Sequence, residues 1–205
     1  MKTDYYPLYT ERIAIPVAES YADCMTLVKS DRFRLTGKKE STLTAIMQCI
    51  KPFSRSSVLF WLRLCQFRGW LFPIFRIIYK VVSRRAQIDI PPTTRIGYGF
   101  YIGHQQSIVV NDATVIGNNV NLSQFLNIGT SEGQPAMIGN KVFVGPMVAI
   151  VDGVKIASNT TIGAGAVVIK DIPADATAVG VPAKVINYSE PGRYIVNPYP
   201  CPDTI

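Results

Sequence analysis

The sequence has one histidine, His104, and four cysteines, Cys24, Cys49, Cys65 and Cys201, with no Cys-x-x-Cys pair among them. A lone imidazole with scattered thiols excludes a zinc site of ordinary spacing and a disulfide framework, so reduced thiols in a cytosolic protein are expected. No carboxylate cluster calls for a metal. No phosphate-binding loop, dinucleotide fingerprint or serine-nucleophile motif is present. An unbroken apolar stretch is missing as well. The first residues, MKTDYYPLYTERIAIP, are interrupted by acids and prolines, so no secretion signal is expected. Ser56 to Val82, the most apolar part, is broken by Arg63, Arg68, Arg76 and Pro73 and does not read as a membrane span.

Acidic residues are also missing between Lys51 and Ile88, where Lys51, Arg55, Arg63, Arg68, Arg76, Lys80, Arg84 and Arg85 stand. The chain carries +7 in all and these eight alone carry +8, so the rest sums to −1. Such asymmetry points to an anionic partner. Nucleic acid is set aside because the stretch holds no reading motif. An anionic membrane surface touched through 51–85, an anionic ligand, and plain packing against a neighbouring subunit stay open.

What is present is a repeat. An aliphatic residue recurs every six positions: Ile90, Ile96, Ile102, then Val110, Ile116, Leu122, Ile128, then Ile138, Val144, Ile150, Ile156, Ile162 and Val168. The phase slips by two residues after Ile102 and by four after Ile128. A helix repeats near 3.6 and a strand at two, so a sustained six fits neither. It fits a triangular coil with one short strand and one turn per hexad, the aliphatic residue pointing inward. Glycine or alanine often follows the anchor, as at Gly97, Gly103, Gly117, Gly129, Gly139, Gly145, Ala157 and Gly163. A corner residue with positive φ is the expected reason. The fold class is therefore mainly β, a left-handed parallel β-helix with a small N-terminal α-helical region.

The chain divides into a helical region at 1–88, the β-helix at 89–170, and a cap and extended tail at 171–205. Short helices are expected at Asp23–Lys29 and Leu43–Ile50, then two more near 56–69 and 73–84 with arginines opposite an apolar face. Asp171-Ile172-Pro173 is read as leaving the coil. The proline-rich tail either stays disordered or lies along a neighbouring subunit.

His104 is the one residue suited to general-base chemistry near neutral pH. It follows the Ile102-Gly103 corner and precedes the first slip, Gln105-Gln106, where the repeat opens. Asp89 lies 15 residues earlier, somewhat less than one coil. It either orients the imidazole through a hydrogen bond or caps the entry to the first coil.

The stretch Asp89-Ile-Pro-Pro through Ile102-Gly-His104 and Asn121-Leu-Ser-Gln-Phe-Leu-Asn-Ile-Gly129 resembles the serine acetyltransferase branch of the hexapeptide-repeat transferases. Gly163-Ala-Gly-Ala-Val-Val-Ile-Lys170-Asp-Ile-Pro and Val179-Gly-Val-Pro-Ala-Lys184 match the same pattern, and the likeness covers about 88–187. Leu27-Val-Lys-Ser-Asp-Arg-Phe and Phe60-Trp-Leu-Arg-Leu resemble the shorter capsule and exopolysaccharide acetyltransferases. The resemblance implies an acyl-CoA-dependent O-acetyltransferase with His104 as base, Asp89 as its orienting carboxylate, and acetyl-CoA, without a metal, as co-substrate. It implies a homotrimer with the donor in a groove between subunits, lined by Thr130, Gly145, Pro146 and Ala164. A backbone N–H such as that of Gly145 would face the oxyanion. Lys170 and Lys184 are candidates for the nucleotide phosphates, or else solvated surface lysines.

Two departures bear on the acceptor. Where the serine enzymes carry an aspartate before the histidine this chain has Gly103, and Gln134 stands where their second loop carries a histidine next to an arginine. A zwitterion needs both charges paired once desolvated. Glu132 can face an ammonium, but nothing basic remains in that loop for a carboxylate. A neutral sugar needs only amides, such as Gln105, Gln106, Gln124 and Gln134. A saccharide hydroxyl in exopolysaccharide or capsule biosynthesis is therefore the expected acceptor. L-serine, in cysteine biosynthesis, is the alternative, and a non-enzymatic basic scaffold at the membrane is a third reading. The expected location is cytoplasmic, with association at the inner membrane face through the basic segment.

Overall fold

The computed structural model describes residues 1–50, 56–130 and 134–201. A hairpin of β1 (Lys2–Leu8) and β2 (Glu11–Val17) comes first, then four helices, α1 (Tyr21–Thr36), α2 (Thr42–Ile50), α3 (Ser57–Leu64) and α4 (Phe72–Arg85). The first coil is β3 (Ile88–Asp89), β4 (Arg95–Ile96) and β5 (Tyr101–Ile102). The second is β6 (Ile108–Val110), β7 (Val115–Ile116) and β8 (Asn121–Leu122), and the third β9 (Leu126–Gly129), β10 (Met137–Ile138) and β11 (Phe143–Val144). The fourth is β12 (Ala149–Val151), β13 (Lys155–Ile156) and β14 (Thr161–Ile162), after which β15 (Val167–Val168) opens a partial fifth.

Each strand pairs in parallel with its equivalent one coil away, which makes a left-handed β-helix of three flat faces. All thirteen anchors point inward, and none is more than 2 % exposed. The columns are direct, with Ile102 beside Leu122, Leu122 beside Val144, and Val144 beside Ile162. The residue two before the anchor is buried too, as at Ile108, Val120, Leu126, Val142 and Val148. Each hexad thus sends two side chains inward, not one.

The small residue after the anchor has a different cause from the one expected. A Cβ on Gly117 would lie 2.5 Å from the Gly139 oxygen, and one on Gly139 would lie 2.6 Å from the Ser158 nitrogen. Coils about 4.8 Å apart leave no room for a methyl there. The positive φ falls two residues later, at Asn119, Lys141 and Asn159 on one edge and at Phe125, Met147 and Gly165 on the next.

Upstream, α1 starts where the Asp23 N–H donates to Ser20 Oγ (3.1 Å) and the Glu19 N–H donates to Asp23 Oδ2 (3.0 Å). It ends at Gly37, φ 66°, whose N–H reaches the Phe33 carbonyl. It outruns the expected Asp23–Lys29 because its last turns bury Ser30, Asp31, Arg32 and Arg34, which an apolar period cannot reveal. Pro73 sits in the first turn of α4, where its missing N–H breaks nothing.

Helices α3 and α4 plug the open first coil, Val58, Leu59, Leu62 and Tyr79 packing against Ile88, Ile90 and Phe100. Arg63 was expected on the wet side of its helix and is instead fully buried. Its guanidinium donates to Asp31 Oδ2 (2.8 Å) and Oδ1 (3.0 Å), and to the carbonyls of Ile96 (3.0 Å) and Gly97 (2.6 Å). Asp31 in turn accepts the Phe100 N–H (2.8 Å). The clamp ties α1, α3 and the first coil together.

At the far end the chain does not leave the coil at Asp171. Ile172 bridges to Ile156, and β16 (Thr177–Val179) continues in parallel beside β14. Antiparallel β17 (Lys184–Asn187) then closes the edge. The tail lies on its own chain. Asn121 Nδ2 donates to the Tyr194 carbonyl (3.1 Å), Arg34 Nε to that of Val196 (2.9 Å), and the Tyr199 N–H to Asn119 Oδ1 (2.7 Å).

Tail and α1 thereby cover the face that carries Tyr101, Asn121 and Phe143. The hairpin covers the face of Val115 and Met137, packing Leu8, Ile13 and Ile15 there. The third face carries Asp89, Val109, Asn127, Ala149 and Val167; α4 abuts its first strand, and Val109 and Asn127 stay exposed.

Because Arg63→Leu leaves Asp31 buried without its partner, it is expected to lower stability by about 3–5 kcal/mol in urea unfolding. A loss under about 1 kcal/mol, the scale of an average substitution, would show that the clamp does not hold the helices to the coil.

Candidate active site

Turns leading from the Tyr101 face to the Asp89 face stack into one edge of the prism. Coil by coil this edge carries His104 with Gln105 and Gln106, then Gln124, then Gly145 and Pro146, then Ala164. Backbone bonds lace the turns together. The Phe125 N–H donates to the Gln106 carbonyl (3.2 Å), that of Met147 to Gln124 (3.0 Å) and that of Gly165 to Pro146 (2.8 Å).

His104 is exposed on the first of these turns, the one widened by two residues. The loop is fixed at its base, where Ser107 Oγ donates to Gln87 Oε1 (2.8 Å) and the Ser107 N–H reaches the Ala86 carbonyl (3.3 Å) just past α4. A Cβ on Gly103 would meet nothing nearer than Tyr101 Cε1 at 3.6 Å, so the place before the histidine has room for a side chain.

Asp89 points outward opposite Val109 in the ladder. It lines an open cleft of about 720 Å³ together with Gln87 and the α4 cations Arg76, Lys80 and Arg84. Among the described residues the His104 ring makes no hydrogen bond, and none joins it to Asp89. The imidazole belongs to the edge and the carboxylate to the cleft under α4; both are open to solvent.

The remaining candidates lie elsewhere. Thr130, Gln134 and Lys170 stand on the opposite edge of the Asp89 face, and Lys184 is on β17. Gln134 is exposed, its carbonyl accepting the Gly153 N–H. Glu132 lies outside the described residues. A face's width separates the two edges within one protomer.

Gly145 cannot serve as the oxyanion donor, since its N–H already donates to the Ile162 carbonyl (2.9 Å). It also lies two coils from His104, roughly 10 Å along the prism. Among the described residues the Ala164 N–H makes no hydrogen bond, and Ala164 is an exposed residue on the same edge. Sequence reasoning passed over Phe125 and Met147, large apolar residues exposed beside Gln124 and Pro146. Their signal was an apolar residue three positions after an anchor, out of phase with the period. Arg76, Lys80 and Arg84 were named as part of the basic stretch, but their place beside Asp89 was not foreseen, although they recur every four residues on one helix side.

The buried thiols Cys24 and Cys65 do not compete with His104 as bases. Burial pushes Cys24 up to about 12 and Cys65 up to about 11, so neither is a thiolate at neutral pH.

A family model described as bacterial transferase hexapeptide (six repeats) matches residues 135–170. The serine acetyltransferase of Synechococcus elongatus is 32% identical over 126 residues, 57% of this chain and 52% of that protein. The Escherichia coli serine acetyltransferase is 33% identical over 109 residues, 51% of this chain and 40% of that protein. Among solved structures, soybean serine acetyltransferase complexed with serine aligns with a TM-score of 0.64 at 26% identity, over 78% of this chain and 68% of that one. The chain spans about half, or less, of the curated relatives it matches. These relatives are serine acetyltransferases, not the capsule and exopolysaccharide enzymes expected from the upstream segments.

Proposed function

We propose that this chain is an acyl-CoA-dependent O-acetyltransferase that moves an acetyl group from acetyl-CoA to the hydroxyl of L-serine. The observation that carries the reading is the identity with a serine acetyltransferase over 57% of this chain, together with an exposed His104 on the slip-widened edge. His104 takes the hydroxyl proton as the oxygen attacks the thioester carbonyl. The new C–O bond forms, the C–S bond breaks, and the imidazolium returns the proton to the departing thiolate. Asp89 takes the orienting role in the substrate complex, since no hydrogen bond joins it to the ring in the free chain. Pro146, the Ala164 N–H and the groove residues Thr130 and Gly145 line the way to the donor, with Lys170 and Lys184 toward its phosphates.

A homotrimer belongs to this proposal. Two faces of the prism are already covered, and the bare one is bordered by the His104 edge on one side and by the Thr130 and Gln134 edge on the other. Packing that face against a neighbour brings one protomer's His104 edge to the other's second edge, which a single chain keeps apart. Ala149→Arg, on the bare face and three coils from Asp89, is expected to yield monomers in light scattering, and an unchanged mass would reject the face.

His104→Gln is expected to lower turnover by two or more orders of magnitude, read as thiol release from acetyl-CoA. Turnover near that of the parent would reject the base.

A second reading, a saccharide hydroxyl as acceptor, draws on one observation, that Gly103 and Gln134 replace the groups that would hold a zwitterion. A thiol-release assay with L-serine set against a panel of sugars separates the two, and release with sugars alone rejects serine. Gly103→Asp fits the space and adds a partner for the ammonium. It is expected to raise kcat/KM for L-serine about tenfold, the scale of one charge-assisted hydrogen bond. No gain would place the amino group elsewhere.

A further inference from the structure

Helix α4 is apolar on two opposite sides. Phe72, Phe75, Tyr79 and Val82 face the first coil. Directly opposite runs a second row: Trp70, in the turn that leads into the helix, then Ile74, Ile77 and Val81, spaced by four, three and four residues. These are 83 %, 54 %, 67 % and 48 % exposed. An ordinary surface helix shows water its polar side; this one shows water an apolar ridge. Arg76, Lys80 and Arg84 flank the ridge on one side and Arg85 on the other, all exposed. Among the described residues none of the four pairs with a carboxylate. Helix α3, by contrast, is packed inward, so among the described residues the basic segment's outer surface belongs to α4 and the turn before it.

We infer that this ridge docks the protein on an anionic lipid surface, with Trp70, Ile74, Ile77 and Val81 entering the headgroup–acyl boundary and the flanking cations meeting lipid phosphates. Apolar residues including tryptophan, bordered by Lys and Arg on a helix lying in the plane, are the physical signature of interfacial binding. No helix among the described residues is long and apolar enough to cross a membrane, so the contact is peripheral. Charge decides against a two-fold contact between copies as the occupant. A two-fold contact through the ridge would set Arg76, Lys80 and Arg84 beside their own copies, with no acid between Lys51 and Ile88 to separate them. The inference does not rest on the acetyl-transfer reading.

Trp61 and Trp70 are the two tryptophans, so Trp61→Phe leaves one reporter on the ridge. The full chain is mixed with vesicles of phosphatidylcholine alone, or of phosphatidylcholine with phosphatidylglycerol. Blue-shifted emission and co-sedimentation are expected with the anionic vesicles only, and binding should weaken as salt rises. Replacing Arg76, Lys80 and Arg84 together by Gln is expected to weaken binding roughly 100-fold, since each cation near the surface contributes several-fold. Ile77→Glu with Val81→Glu should abolish the blue shift while far-ultraviolet ellipticity stays that of the parent. Equal binding to neutral vesicles, or none to anionic ones, overturns the inference. So does a parent assembly that the Ile77→Glu, Val81→Glu variant splits without any vesicle binding, which would make the ridge a contact between copies.

Discussion

Stacking at the inter-strand spacing is the constraint on which the rest of this structure depends. Each coil must lie about 4.8 Å from the next over its whole length. That distance excludes a methyl at Gly117 and Gly139. Extra residues can be taken up only at corners, where they bulge outward without lifting one coil from another. The two-residue slip falls at the turn of His104 and the four-residue slip at the loop that precedes Gln134. Departures from the repeat and the proposed site residues His104 and Gln134 therefore fall at the same places.

A solenoid is open at both ends, and this chain closes them differently. The far end is finished by an antiparallel strand. The near end is closed by helices held through the Arg63–Asp31 clamp, whose guanidinium reaches α1 and two carbonyls of the first coil at once. The same upstream segment sets one wall of the cleft beside Asp89. Hairpin, α1 and tail cover two faces of the prism and leave the third, so the position of His104 and the availability of a contact face follow from one packing arrangement.

Much of the fold was legible because an anchor's environment repeats every six residues, and repetition is a property of the sequence itself. The helices were legible as elements and poorly bounded. Asp31, Arg32 and Arg34 extend α1 through polar contacts to residues far along the chain, and these leave no apolar period. Arg63 looked like a solvated arginine for the same reason. His104 was legible as a candidate since it is the single imidazole and stands at a slip. The engagement of the Gly145 N–H was not, since the Ile162 carbonyl that takes it comes from the next coil.

By itself the sequence determined the coil, its period, its two widened corners and the exposed imidazole, because each is set by residues within a few positions of one another. Tertiary structure alone decided which face of the prism stays bare, which arginine is buried, and that α4 turns a second apolar row toward solvent. Those outcomes depend on what packs over what, between segments tens of residues apart, and a side chain's burial is a property of its neighbours in space.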